Sequence, residues 1–181
     1  MPISTDHIRT SLNGYLDVHP EDRPGLAPVL ALLETDVDLA SRKEFRAHVT
    51  AGAVLVNHDN RVLHIHHLAL DKWLLPGGHL EPQDDTLQAA ALRELCEETG
   101  ISPASVAPAS PDPIDIDVHP IPANEAKGEP DHQHVDFRFL FRTETADIGA
   151  LQTEEVTDVE WLGVDNLTSL KLGRRLMSAL R

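Results

Sequence analysis

Three carboxylates crowd the end of one helical run. At about 100° per residue, Glu94, Glu97 and Glu98 project onto an arc roughly 100° wide, while Ala91, Leu92, Leu95 and Cys96 occupy the neighbouring arc that must face a core. Glu94 and Glu98 form a like-charge i, i+4 pair. All three lie near the helix C-terminus, where the helix dipole disfavours an anion by about 0.3–1 kcal/mol each. A helix shaped only for solubility would carry Lys or Arg there. Clustered carboxylate oxygens are instead the donor set that a hard divalent cation such as Mg²⁺ or Mn²⁺ prefers.

Other residues carry weaker signals. On a strand around residues 132–142, His134, Asp136 and Arg138 alternate with Val135, Phe137 and Phe139. That polar face suits a substrate cleft, with Arg138 gripping a phosphate, or an ion-paired strand surface. His119, His132 and His134 with Asp136 invite a second metal site for Zn²⁺ or Mn²⁺, although their spacing matches no fixed signature. Cys96, on the core-side arc, reads as a small apolar filler.

The elements that must position these residues follow from local pattern. Residues 4–46 read as two or three short helices, one carrying Ile8, Leu12 and Leu16, another opened by Pro24 and carrying Leu26, Val29, Leu30 and Leu33. They form either a packing extension or a lid or homodimer contact. From His48 the pattern changes to strands: a hairpin turns at His58-Asp59-Asn60, and Trp73 to Pro76 leads into the pair Gly77-Gly78. Asp84-Asp85 offers a cap for the acidic helix, and Gly100 stands where it ends. Pro103, Pro108, Pro111 and Pro113 mark a loop, residues 114–121 an edge strand and residues 124–131 a polar connection. A strand with Val159 and Trp161 precedes a last helix capped by Asp165.

With 181 residues, 41% of them hydrophobic, the chain is long enough for one domain plus an extension. A formal charge of -15 argues against binding a nucleic-acid polymer or an anionic membrane through a basic face. It also means that a phosphorylated substrate needs a cation between two sets of negative charge. A single cysteine and an N-terminus without an apolar stretch fit a cytoplasmic protein.

The run from Gly78 to Ile101, ending Arg93-Glu94-Leu95-Cys96-Glu97-Glu98-Thr99-Gly100-Ile101, closely resembles the Nudix box, G-x5-E-x7-R-E-U-x-E-E-x-G-U with U aliphatic. The second half matches throughout. The first half has Asp in place of Glu and one residue too many: Asp84 keeps the family spacing to Gly78, Asp85 the spacing to Arg93. Helical phase favours Asp85, because loops absorb insertions cheaply.

The resemblance implies an α/β fold, an α/β/α sandwich with a mixed β-sheet, with residues 1–46 a helical extension and 47–181 the Nudix domain. It implies metal-dependent hydrolysis of a pyrophosphate bond in a nucleoside diphosphate derivative. Glu94, Glu97 and Glu98 would be metal ligands and catalytic groups, joined by a backbone carbonyl at Gly78, with Glu155 a further ligand or base. Gly78, Asp85, Arg93 and Gly100 would shape the box. Two alternatives go with it. A nucleotide-sensing module would bind without cleaving, and an isopentenyl-diphosphate isomerase would need a cysteine in the glycine loop, which here reads Leu74-Leu75-Pro76-Gly77-Gly78-His79-Leu80.

Overall fold

The computed structural model describes residues 3–145 and 147–181. Ser4 starts α1 (Thr5–Val18) by accepting the His7 N–H at 3.2 Å, and Pro24 sits in the first turn of α2 (Arg23–Leu33). The strands follow as β1 (His48–Val56), β2 (Val62–His67), β3 (Lys72–Leu74), β4 (Gly77–His79), β5 (Val106–Pro108), β6 (Asp115–Ile121), β7 (His132–Thr143) and β8 (Val156–Leu162). Helix α3 (Leu87–Thr99) lies between β4 and β5, and α4 (Leu170–Ala179) comes last.

β1 and β7 are the parallel centre of the sheet, in register from His48 opposite His134 to Val56 opposite Arg142. The other pairings are antiparallel: β2, β4 and β8 build outward on the β1 side, β5 and β6 on β7. Strand alternation then divides the core. Val49, Ala51, Ala53 and Leu55 of β1, with Val135, Phe137, Phe139 and Phe141 of β7, join α1, α2 and α3 in one apolar cluster. Val54, Val56 and Leu140 point the other way, against Leu172 and Leu176 of α4. Helices thus cover both faces of a mixed sheet, the expected three-layer arrangement.

On that second face α4 covers only half. Moving toward the strand starts, the same alternation presents Gly52, Thr50 and the buried His48 on β1 and Arg138, Asp136 and His134 on β7, and all of these but His48 line a cleft. The apolar sides of α1 and α2, with Ile8, Leu12, Leu16, Leu26, Val29 and Leu33, are turned into the core, which is the packing arrangement.

Several local expectations shift. α3 is capped by Thr86, which accepts the Ala89 N–H at 3.0 Å, so the Asp pair lies before the helix. α4 is capped by Ser169 and not Asp165. Gly77 and Gly78 pair with β1 as a short strand, and β5 lies within the proline-rich loop.

Gly100 ends α3 at φ 65°, and a Cβ there would stand 2.4 Å from the Ala150 backbone nitrogen. Both the left-handed backbone and the contact exclude a side chain. Gly100→Ala is expected to destabilise the fold by about 2 kcal/mol or more, read as a lowered urea midpoint at unchanged slope.

Candidate active site

The end of α3 meets the start of β4 at its glycines. The Gly77 N–H donates to Glu98 Oε2 at 3.0 Å and orients a side chain that is only 2% exposed. A Cβ on Gly77 would lie 2.8 Å from the Ala51 carbonyl oxygen, and one on Gly78 would lie 2.6 Å from Glu94 Oε1. The glycine pair therefore lets β4 close on β1 and leaves room for the Glu94 carboxylate.

Arg93 holds the assembly together. Its Nε and Nη2 reach the two oxygens of Asp84 at 2.9 and 3.0 Å, Nη1 reaches Glu94 at 2.9 Å and Glu97 at 3.0 Å, and Nη2 also donates to the His79 carbonyl at 2.9 Å. Asp84, buried at 4% exposure, also accepts the Glu81 N–H at 2.7 Å. This corrects the choice of Asp85. The carboxylate that fastens the loop to the helix is Asp84, whereas Asp85 is exposed.

One cation does not balance this many carboxylates. Burial, reinforced by Glu94, Glu155 and Glu97 and opposed by the Gly77 N–H, pushes Glu98 up to about 8. Burial likewise raises Glu94, with Arg93 opposing and Glu97 and Glu155 adding to it. Glu155, from the segment before β8, thus belongs to the same electrostatic cluster, and it lines the same cleft. Four carboxylates from two elements around one hollow fit the donor set of a hard divalent cation.

A proton bound by folded Glu98 up to about 8, and by the unfolded chain only up to the ordinary 4.5, stabilises the fold at low pH. In chelator the melting temperature should therefore fall as pH rises through that window, since the unfolded state has by then released its proton. Glu98→Gln should flatten the dependence, and millimolar Mg²⁺ should reverse the loss for wild type only. Differential scanning calorimetry at pH 5 and pH 8 reads this directly.

The cleft, about 620 Å³, is lined by Glu94, Glu97, Glu98 and Glu155 on one side and by His134, Asp136 and Arg138 on the other. Sequence reasoning had these groups separately, and the fold brings them to one hollow. Arg138 takes the ion-paired form rather than that of an unengaged phosphate clamp: it reaches Asp136 at 2.8 Å, Asp117 at 3.0 Å and Asp115 at 3.3 Å. Asp136 also accepts from the Thr50 hydroxyl at 3.1 Å. Asp115 continues the network to Lys171 at 2.9 Å and Arg175 at 2.7 Å on α4. A second hollow, about 690 Å³, lies between residues 19–22 and α4, away from the α3 carboxylates, and its Lys171 and Arg175 are already paired. Cys96 is half-buried, and burial raises its thiol, which suits a filler and not a nucleophile.

The histidines gather differently from expectation. His48 and His79, not singled out by sequence, join His134. The signal was in the alternation: His48 shares the strand face of Thr50 and Gly52, and His79 pairs beside Thr50. Burial first, then neighbouring charge, lowers His79 to about 4 and His134 to about 3, and burial lowers His48 as well.

Comparison with known proteins identifies the family. A family model described as NUDIX domain matches residues 46–180. A probable DHNTP pyrophosphohydrolase of Lactococcus lactis subsp. cremoris is 32% identical over 132 residues, 70% of this chain and 74% of that protein. An RNA pyrophosphohydrolase of Erythrobacter litoralis is 30% identical over 141 residues, 72% of this chain and 85% of that one. Among solved structures, a NUDIX-family hydrolase from Clostridium perfringens superposes with a TM-score of 0.55 at 21% identity, over 74% of this chain and 95% of that one, a likeness of fold.

Proposed function

The chain belongs to the Nudix family and is a pyrophosphohydrolase, and from this premise we propose that it cleaves a nucleoside diphosphate derivative with Mg²⁺ or Mn²⁺ bound by Glu94, Glu97 and Glu98, with Glu155 beside them in the cleft. The observation that supports this reading is the convergence of these carboxylates on one cleft, with Glu98 raised by burial and by its acidic neighbours. A divalent cation there would neutralise diphosphate oxygens and acidify water. In a chain of charge -15, the substrate's own anionic groups need that neutralisation to approach.

The chain's residues divide the remaining work. Gly77 and Gly78 aim Glu98 and Glu94 into the cleft, and Arg93 fixes the helix to the loop through Asp84. Glu155, arriving in the same cleft from a separate element, would take the proton of attacking water, and the helix glutamates would hold the cation. His134 and Asp136 form the opposite wall, where a nucleotide's polar groups would lie. The substrate is a small molecule, and the single cysteine suits a reducing cytoplasm.

The test is release of phosphate or nucleoside monophosphate from a panel of nucleoside diphosphate derivatives with Mg²⁺ and with Mn²⁺. Turnover of at least one supports the reading. Tight binding across the panel without cleavage contradicts it and favours a sensing module. An isomerase is disfavoured because the one cysteine, Cys96, lies on α3 and outside the glycine loop.

A further inference from the structure

The parallel register of β1 and β7 sets His48 directly beside His134, and the antiparallel register of β4 sets His79 on the other edge of β1, paired to Thr50 on the same face. Three imidazoles from three strands are thereby gathered at one point. Their ring centroids lie 4.6 Å apart for His48 and His134, 5.1 Å for His48 and His79, and 5.2 Å for His79 and His134. One ligating nitrogen from each falls within 4.8 Å of the other two. A tetrahedral ion with metal–nitrogen bonds of about 2.0–2.1 Å needs nitrogens roughly 3.4 Å apart, and His48 Nε2 and His79 Nε2 already stand at 3.2 Å.

The outer contacts fit the same purpose. His48 Nδ1 lies 3.2 Å from the Glu44 carbonyl oxygen, so the proton belongs on Nδ1 and the lone pair on Nε2, the arrangement usual for a metal-ligating histidine. His132 beside it repeats the pattern, its Nδ1 2.8 Å from the Pro130 carbonyl and its Nε2 3.3 Å from His134 Nε2. Asp136 and His119 stand outside the trio: Asp136 is engaged by Arg138 and Thr50, and His119 Nδ1 lies 3.0 Å from Asp117.

We propose that His48, His79 and His134 form a second metal site, selective for a first-row transition ion of the Zn²⁺ type and chemically distinct from the carboxylate cluster. Imidazole nitrogens favour such ions, whereas Mg²⁺ favours oxygen. His48 is buried and His79 and His134 line the cleft, so the coordination position left by three ligands faces the cleft, where water or a substrate oxygen completes it. The two sites are joined through the Arg93 side chain, which binds both the glutamates and the His79 carbonyl.

The competing arrangement is a metal-free cluster in which the imidazoles hydrogen-bond to one another, and metal uptake separates the two. The probes are Zn²⁺ by calorimetry and Co²⁺ by visible absorption, on chain stripped with chelator and carrying Glu97→Gln and Glu98→Gln, so that binding at the carboxylates and turnover play no part. The expected result is stoichiometric uptake of one ion, uncompeted by millimolar Mg²⁺, with the intense bands of a low-coordinate Co²⁺ site. His134→Gln or His79→Gln should weaken it by roughly 100-fold, with circular dichroism showing that each variant is folded. No uptake, or uptake indifferent to both histidine substitutions, overturns the proposal and leaves the hydrolase reading untouched.

Discussion

Glu98→Gln is expected to remove turnover while the protein stays folded. The substitution keeps the shape of the side chain and an oxygen able to accept the Gly77 N–H at its present 3.0 Å. What it removes is the negative charge, in a position where burial and three other glutamates already oppose that charge. A charge maintained against such opposition has no folding role, so its loss should cost stability little and raise it in chelator above neutral pH. Activity should fall by at least about 10³-fold in kcat/KM, some 4 kcal/mol of transition-state stabilisation. Steady-state kinetics beside a denaturant titration reads both, and a variant retaining more than a tenth of wild-type activity contradicts this role for Glu98.

Arg93→Ala is the largest expected loss of stability. Its guanidinium makes a two-pronged pair with the buried Asp84, bridges Glu94 and Glu97, and donates to the His79 carbonyl. Removing it leaves Asp84 buried without its cation and the glutamates without their nearest counter-charge, which costs about 3–5 kcal/mol. Arg93→Lys should recover only part, because an ammonium cannot reproduce the planar fork. Asp84→Asn should likewise exceed Asp85→Asn in effect, since Asp84 alone of the two receives the Arg93 fork. Equilibrium unfolding in urea checks the series, and a change under about 1 kcal/mol for Arg93→Ala would show that Arg93 does not fasten the loop.

These residues show where sequence reading succeeds and where it stops. The acidic face of α3 was legible because helical periodicity is local: Glu94, Glu97 and Glu98 share a face whatever the rest of the chain does. The alternation of β7 was legible for the same reason, and so was the hairpin, whereas the three layers were implied by the family resemblance. Asp84 was misjudged because the turn that buries it depends on the hydrogen bonds of Glu81 with Asp84 and on the reach of Arg93, neither of which spacing records. The start of α3 moved to Thr86 because its hydroxyl, one residue later, caps Ala89. Arg138 could be assigned two partners by type, and only the pairing of β6 with β7 sets Asp115 and Asp117 against it. His48 and His79 were hidden most deeply, since their meeting with His134 rests on the registers of three strands.

The most direct measurement is Mn²⁺ uptake followed by the loss of its free-ion paramagnetic resonance signal, in a chain carrying His79→Gln and His134→Gln so that only carboxylates can bind. The account predicts that this chain depletes free Mn²⁺ at millimolar concentration and that adding Glu97→Gln and Glu98→Gln abolishes the depletion. Equal uptake with and without the two glutamates, or none in either, would contradict a cation site built from the last turn of α3.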